Sequence, residues 1–347
     1  MPPTSNPELH LPKPSDVEGS VHHTSAHDHH TSTRAQLNQI YAGAVSGALT
    51  RTLTQPFDVL KIRFQLQVEP LTIGKKSKYN SLWQASKLIY HEEGVRGLFK
   101  GHNAGQFMSI VYSVGQFWSY EQIRAVMRDM PFMSTHMNVM NFLAGGFAGC
   151  VATIFSIPFD VIRTRLVAQD PGQGYRNMLH AVPLIWRTEG VRGYFRGLQP
   201  TLVQIVPLVG FNFMFYKKFN EMLVHTRLAR NDLLPTWVLL CTGGAAGVAS
   251  KAVVYPLDFI KKRLQVQGFE QHRTKFGRTQ RCKGVFHCIE LTMREEGIMG
   301  FYKGIYPTLI KSGLMTAFYF TIYDRCKLLL HRYYNLNDGH AHHPTKP

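Results

Sequence analysis

The chain has 347 residues, with 39 Lys and Arg against 22 Asp and Glu and a formal net charge of +17. Its mean hydropathy of −0.14 is that of a water-soluble protein only when apolar residues are spread evenly, and here they are concentrated. Nucleic acid is excluded as the partner of this charge: no recognisable nucleic-acid-binding motif accompanies it, and the bases are placed as a membrane protein places them.

Residues 1–34 are rich in Pro, Ser, Thr and His, contain Asp16, Glu18 and Asp28, and offer only Arg34 as an arginine. That is unlike an Arg-rich amphipathic presequence, and the segment is expected to be a disordered tail. Its histidines, like His340, His342 and His343 near the other end, suit adventitious metal binding, and no metal site or cofactor is assigned. Six charge-poor stretches follow: Leu37–Phe57, Asn103–Tyr120, Asn138–Phe159, Leu198–Tyr216, Leu233–Leu257 and Gly304–Tyr323. Each has about the ~20 residues a helix needs to cross a hydrocarbon core. Three contain a lone base, Arg51, Lys251 and Lys311, and a lone charge in a span marks a pathway or a binding site. Of the bases, 24 fall in Val59–Gly101, Val161–Gly197 and Phe259–Gly304, segments that alternate with the spans and so share one side of a membrane.

Pro56-Phe57-Asp58-Val59-Leu60-Lys61-Ile62-Arg63 recurs from Pro158 with Asp160, Arg163 and Arg165, and from Pro256 with Asp258, Lys261 and Arg263. The three prolines are spaced by 102 and 98 residues. A second block follows each copy: Glu93-Gly94 then Phe99-Lys100-Gly101, Glu189-Gly190 then Phe195-Arg196-Gly197, Glu296-Gly297 then Tyr302-Lys303-Gly304. Two linked motifs in register three times define internal repeats. The predicted organisation is a tail over 1–34, repeats over 35–129, 130–230 and 231–333, and a flexible tail over 334–347. Each repeat holds two spans, so all three share one orientation and can surround an axis along the membrane normal. The predicted fold is an all-α membrane protein with six transmembrane helices in three parallel two-helix repeats of pseudo-threefold symmetry. Short surface helices such as Ser81–Glu92 lie in the basic loops. The spacings Gly43/Gly47, Gly145/Gly149 and Gly243/Gly247 are expected to serve close helix packing.

Each proline removes a helix hydrogen bond and bends its helix. Just beyond it stand an acid and, three residues on, a base. Either the two pair within one helix, or the acid of one helix meets the base of another and closes a ring of Asp58, Lys61, Asp160, Arg163, Asp258 and Lys261. The ring is favoured, because a charge pair at a buried kink repeated around an axis is a poor staple for single helices. It would act as a gate on the basic side. Gln65 and Gln265, one turn after Lys61 and Lys261, are placed to brace two of the pairs, while Val167 cannot brace the third. At the other face Glu121 with Arg124, and Asp324 with Lys327, look like a second set, the opposite gate. Repeat two reads Tyr216-Lys217-Lys218-Phe219-Asn220 there, so that gate is expected to be incomplete. Two opposed gates around a site are the architecture of alternating access.

An enzyme is not indicated. The five cysteines lack metal or disulfide spacing, and Gly74-Lys75-Lys76-Ser77 misses the spacing of a phosphate-cradling loop.

The Pro-acid-base motif with its Glu-Gly and aromatic-base-Gly block closely resembles the signature of the mitochondrial carrier family, from about Gln36 to Tyr333. Within it Pro56–Gln67, Lys100-Gly101-His102 with Ser109-Ile110, Lys261–Val266, and the loop Gly268-Phe269-Glu270 with Phe276-Gly277 and Lys283-Gly284 resemble the branch that carries thiamine pyrophosphate. The resemblance implies exchange of thiamine pyrophosphate, against nucleotides, by a monomer in the inner mitochondrial membrane with both termini facing the intermembrane space. It also implies cardiolipin at the helix starts beside Lys100, Arg196 and Lys303, where N-termini and bases favour phosphate. The family's substrate-contact places fall on Met108, Ser109 and Tyr112, on Gln204 and Ile205, and on Lys311 and Ser312. Gln116 and Asn212, a turn or two further on, also belong to the expected cavity. Arg51 and Lys251 each precede a motif proline by five residues, and Thr153 holds that place in repeat two. Three bases in a cavity of reduced dielectric suit a pyrophosphate, and Tyr112 suits a cationic ring. The alternatives are that Arg51 or Lys311 pairs structurally, that the cargo is a nucleotide or coenzyme A, or that the protein is a membrane scaffold without transport.

Overall fold

The computed structural model describes residues 25–68, 77–128, 137–224, 236–273 and 281–341. All regular structure among them is helical: α1 (Ser25–Leu66), α2 (Leu82–Leu98), α3 (His102–Arg128), α4 (Met137–Ala168), α5 (Met178–Glu189), α6 (Val191–Tyr194), α7 (Leu198–Val224), α8 (Thr236–Gln265), α9 (Val285–Gly300) and α10 (Ile305–Ala341), with one 3₁₀ turn at Glu270–His272. Helix α1 begins inside the segment expected to be a disordered tail, and α10 runs through most of the expected C-terminal one.

Six helices are long, from 27 residues in α3 and α7 to 42 in α1, and each holds nearly all of one charge-poor stretch. Two stretches of described residues, Leu143–Ala168 and Val191–Leu223, are apolar enough by length and hydropathy to cross a membrane. That is fewer than the six expected. The other long helices spend more of their turns on Ser, Thr, Gln and charge, which lowers their hydropathy. Many of their hydroxyls are satisfied locally: Ser46 donates to the Ala42 carbonyl at 2.5 Å, Thr54 to Thr50 at 2.9 Å and Ser250 to Ala246 at 2.6 Å. A polar side chain bonded to its own helix is cheap to remove from water.

The chain divides into two compact units, Thr50–Phe318 and a second made of the chain up to Leu49 with the chain from Tyr319. In the second unit a Cβ on Gly43 would come within 3.8 Å of the Tyr319 hydroxyl, so α1 and α10 approach closely there. In the larger unit α3 lies along α4 and α7 along α8, the second long helix of one repeat beside the first of the next. A Cβ on Gly149 would stand 3.7 Å from the Tyr112 hydroxyl, and one on Gly243 3.9 Å from the Tyr216 ring. Gly47, Gly145 and Gly247 face open space, so one glycine of each expected pair does the packing.

Short helices connect the long ones. Ser81 and Asn177 cap α2 and α5, their side chains accepting from the backbone N–H groups of Gln84 and His180. Gly94, Gly190 and Gly297, the glycines after the repeated glutamates, have φ of 67°, 64° and 69° and break each short helix. Ala85 and Ile89 of α2 pack on Leu60 and Phe64, Ala181 and Ile185 of α5 on Ile162, and Cys288 of α9 on Phe259 and Phe301. The second glycine of each block makes a different contact. A Cβ on Gly101 would lie 3.0 Å from the Arg163 carbonyl oxygen, on Gly197 3.0 Å from that of Lys261, and on Gly304 3.0 Å from that of Lys61. Each repeat thus seats a glycine on the kinked helix of another, and the three contacts run in a cycle.

Candidate functional site: a charged ring beside a basic cavity

Pro56, Pro158 and Pro256 lie inside α1, α4 and α8, and the acids and bases beyond them meet between helices. Arg163 Nη2 lies 2.5 Å from Asp58 Oδ2, Lys261 Nζ 2.8 Å from Asp160 Oδ2, and Lys61 Nζ 2.7 Å from Asp258 Oδ2. The first motif's base meets the third motif's acid, the third's base the second's acid, and the second's base the first's acid. The six residues form a closed ring rather than three intrahelical pairs.

The glutamines fall where their spacing placed them. Gln65 Nε2 donates to Asp258 Oδ2 at 3.1 Å and to the Tyr255 hydroxyl at 3.0 Å, and Gln265 Nε2 donates to Asp160 Oδ2 at 2.8 Å. Val167 takes the third place, and there Lys311 Nζ reaches the other oxygen of Asp58 at 2.6 Å. Lys311, expected to be a free cavity base, is therefore an ion-pair partner of the ring in this conformation. Its place is set by α10, which carries it to the one acid without a glutamine. Arg51 Nη1 donates to the Gly105 carbonyl at 2.8 Å, and Lys251 Nζ to Ser312 Oγ at 3.0 Å.

One residue of this layer escaped the sequence reading. Lys262 is buried, and its Nζ donates to Asp160 Oδ1 at 2.9 Å, to Thr164 Oγ1 at 2.9 Å and to Gln265 Oε1 at 3.0 Å. The signal was the doubled Lys261-Lys262, where the other motifs read Lys61-Ile62 and Arg163-Thr164. The three acids are thus unequally served: Asp160 holds Lys261, Lys262 and Gln265; Asp58 holds Arg163 and Lys311; Asp258 holds Lys61 and Gln65.

Two cavities adjoin the ring. One, of about 340 Å³, is lined by Arg51, Met108, Ser109, Tyr112, Gln204 and Ile205 among others, with Asp160, Asp258 and Lys261 of the ring at its edge. The second, of about 140 Å³, is lined by Lys251, Lys311 and Ser312 together with Lys61 and Asp258. Gln204, Leu208 and Asp258 line both. Gln116 and Asn212 line neither, since they lie one to two turns further along α3 and α7. Seven bases (Arg51, Lys61, Arg163, Lys251, Lys261, Lys262 and Lys311) face three carboxylates in this region, so a polyanion is the ligand the field favours.

A second tier ties the repeated blocks together. Arg63 pairs with Glu93 at 2.7 Å and Lys100 with the same carboxylate at 2.6 Å. Arg165 and Arg196 share Glu189 at 2.5 and 2.7 Å, while Arg263 lies 2.5 Å from Glu296, which also holds Lys303. These arginines, glutamates and block bases are largely buried, and each triad fixes a short helix to its kinked neighbour.

At the opposite ends of the long helices Glu121, Arg124, Asp324 and Lys327 are all exposed, and no ion pair among the described residues includes any of them. The expected second set of pairs is not formed in this conformation. Repeat two, expected to lack an acid there, has Glu221 one residue past the quoted segment, 3.8 Å from Lys217 in the same helix.

The family described as "Mitochondrial carrier protein" matches residues 32–131, 134–227 and 232–334. The chain is 42% identical over 287 residues to the mitochondrial thiamine pyrophosphate carrier of Homo sapiens, covering 82% of this chain and 89% of that protein. It is 42% identical over 289 residues to the protein of the same name from Bos taurus, with the same coverage. To the mitochondrial thiamine diphosphate carrier 1 of Zea mays it is 36% identical over 314 residues, covering 84% of this chain and 93% of that protein.

Proposed function

The chain belongs to the mitochondrial carrier family, and from that premise we propose that it exchanges thiamine pyrophosphate for nucleotides across the inner mitochondrial membrane. The relatives that bear the name of that cargo span nearly the whole chain. The observation that carries the reading is the pair of adjoining cavities beside the charged ring: Arg51 in the larger and Lys251 and Lys311 in the smaller offer a pyrophosphate three cations, and Tyr112 in the larger offers a thiazolium ring an aromatic face.

In this reading the six long helices span the membrane as three repeats about a pseudo-threefold axis. The protein acts as a monomer with both termini in the intermembrane space. The ring of Asp58, Lys61, Asp160, Arg163, Asp258 and Lys261 is a matrix gate, here closed. Glu121, Arg124, Asp324 and Lys327 belong to a cytoplasmic gate. Cardiolipin headgroups sit at the helix starts beside Lys100, Arg196 and Lys303. An ion pair at 4 Å contributes ~4 kcal/mol at an effective dielectric near 20, so three pairs hold a pathway shut without locking it. Bound anion opens the ring only through its greater affinity for the open form. Lys311 supplies that difference: a pyrophosphate that draws its ammonium away leaves Asp58 with Arg163 alone.

The test is uptake of labelled thiamine pyrophosphate into liposomes holding the purified protein, preloaded with thiamine pyrophosphate, a nucleotide or nothing. Saturable uptake that requires internal substrate is expected. Exchange of nucleotides or coenzyme A without thiamine pyrophosphate would overturn the cargo, and no flux of any anion would leave only a scaffold.

A further inference from the structure

Repeat three departs from the other two at one spot beside its short helix. Tyr79 stands two residues before the cap of α2, and Tyr175 two before that of α5. Each is held in the same way. The Tyr79 N–H donates to Gln67 Oε1 at 2.9 Å and its hydroxyl accepts from Arg63 at 3.1 Å; for Tyr175 the partners are Gln169 at 2.8 Å and Arg165 at 3.3 Å. Six residues further on, the helix turns a buried alanine toward that place, Ala85 or Ala181.

Cys282 and Cys288 occupy these two places in repeat three. Cys282 precedes the α9 cap Gly284 by two residues, and its N–H donates to Gln267 Oε1 at 3.2 Å, as the tyrosine N–H groups do to Gln67 and Gln169. Cys288 is fully buried among Phe259, Ile260 and Phe301, and Cys282 packs against that cluster. A ring over a methyl has become a thiol packed against a thiol, and both are free. Cys282 is partly open to solvent. The hydrogen bond from Cys288, and after it the Arg263 charge, hold the Cys282 thiol below its ordinary range against the opposing effect of burial. A thiolate beside a guanidinium attacks disulfides readily.

We propose that Cys282 and Cys288 are a redox-active dithiol, a modification site that closes to an internal disulfide by exchange with a low-molecular-weight disulfide such as oxidised glutathione. The Cys282 thiolate attacks one glutathione sulfur, forming a mixed disulfide and releasing the first glutathione thiolate. Cys288 then gives up its proton and attacks the Cys282 sulfur, releasing the second. The two cysteines are oxidised by two electrons and the glutathione disulfide is reduced to two thiols. The closed bond would tie the start of the short helix to its own first turns.

The test uses the full chain in liposomes, treated with oxidised glutathione, quenched by alkylation under denaturing conditions, digested and mapped by mass spectrometry. The expected product links the Cys282 and Cys288 peptides, two hydrogens lighter than the sum of the reduced peptides, and dithiothreitol reverses it. Cys288→Ala should stop at a glutathione adduct on Cys282, and Cys282→Tyr should leave Cys288 unmodified. Both substitutions restore what the other repeats carry and so should fold. Wild-type protein that accumulates the Cys282 adduct, or keeps both thiols open to alkylation, overturns the proposal. The readout is mass, so it stands or falls apart from the cargo.

Discussion

Lys311 and Asp58 are 253 residues apart in the chain, and their side chains lie 2.6 Å apart. The same lysine lines the smaller cavity with Lys251 and Ser312. On the proposed function one ammonium therefore serves two tasks that pull against each other: it holds a carboxylate of the ring, and it receives the anion. Lys311→Gln is expected to lower exchange by on the order of ten- to a hundredfold, equivalent to ~1.4–2.8 kcal/mol. Insertion in the membrane should be retained. Uptake at the wild-type rate by a correctly inserted variant would remove Lys311 from the site.

The unequal service of the three acids sets an order of importance. Asp160→Asn leaves Lys261 and Lys262 without their carboxylate in a buried place, and breaking a buried pair typically costs ~3–5 kcal/mol. Asp258→Asn unsettles Lys61 and the Gln65 brace, and the Lys61 pair is about two and a half times as exposed as that of Lys262 with Asp160. Thermal unfolding in detergent should rank the Asp160 variant well below the Asp258 variant. Adding Lys262→Met to Asp160→Asn should recover part of the loss, and additive losses would argue against a shared network.

Repeat two lacks a glutamine brace, though its chain follows the same course past a glycine. Gln65 and Gln265 run past Gly304 and Gly197, and Val167 runs past Gly101 in the same way. Val167→Gln should place an amide within reach of Asp58 and add ~1 kcal/mol to the closed form, less the packing Val167 gives up. The expected signature is a higher unfolding temperature together with slower exchange. A faster exchanger with the same melting point would count against the ring as the barrier.

The two repeated glycine positions should respond differently to one methyl group. Gly94 has φ 67° and ψ −167°, a backbone region that essentially only glycine adopts, with open space around it, so Gly94→Ala should cost only the backbone strain of ~1–3 kcal/mol. Gly101 has φ 72° and no room, its Cβ falling 3.0 Å from the Arg163 carbonyl. Gly101→Ala should abolish exchange or folding, while Gly94→Ala melts a few degrees lower and still transports. Equal behaviour of the two variants, by melting curve and uptake, would contradict the contact.

What the sequence announced was whatever recurs at fixed spacing. The kinks, the acid–base ring and the Gln65 and Gln265 braces all follow from a proline, a three-residue step and one further helical turn. Lys311 pairing with Asp58 was not legible, because the two belong to different kinds of helix and no repeat carries a second example. Lys262 was visible only as a departure from the motif, and departures carry no partner with them. The Arg63, Arg165 and Arg263 ties to Glu93, Glu189 and Glu296 were within reach, since both ends recur in step. Glu121 and Asp324 were expected in pairs that this conformation leaves apart, and a sequence does not state which conformation is taken.

The cycle of glycines against the kinked helices bears on how tightly the molecule separates two solutions. Gly101, Gly197 and Gly304 each press on the backbone that carries another repeat's ring base, so no kink can straighten without displacing a neighbour. Partial opening, with one ion pair parted and two intact, is disfavoured by contact rather than by charge. If the ring is the proposed gate across an energised membrane this matters, because moving one unit charge through 100 mV releases ~2.3 kcal/mol. A half-open ring would be a wire for protons. On the proposed function, three glycines against which a methyl group would crowd keep the voltage from draining through the ring between one cargo and the next.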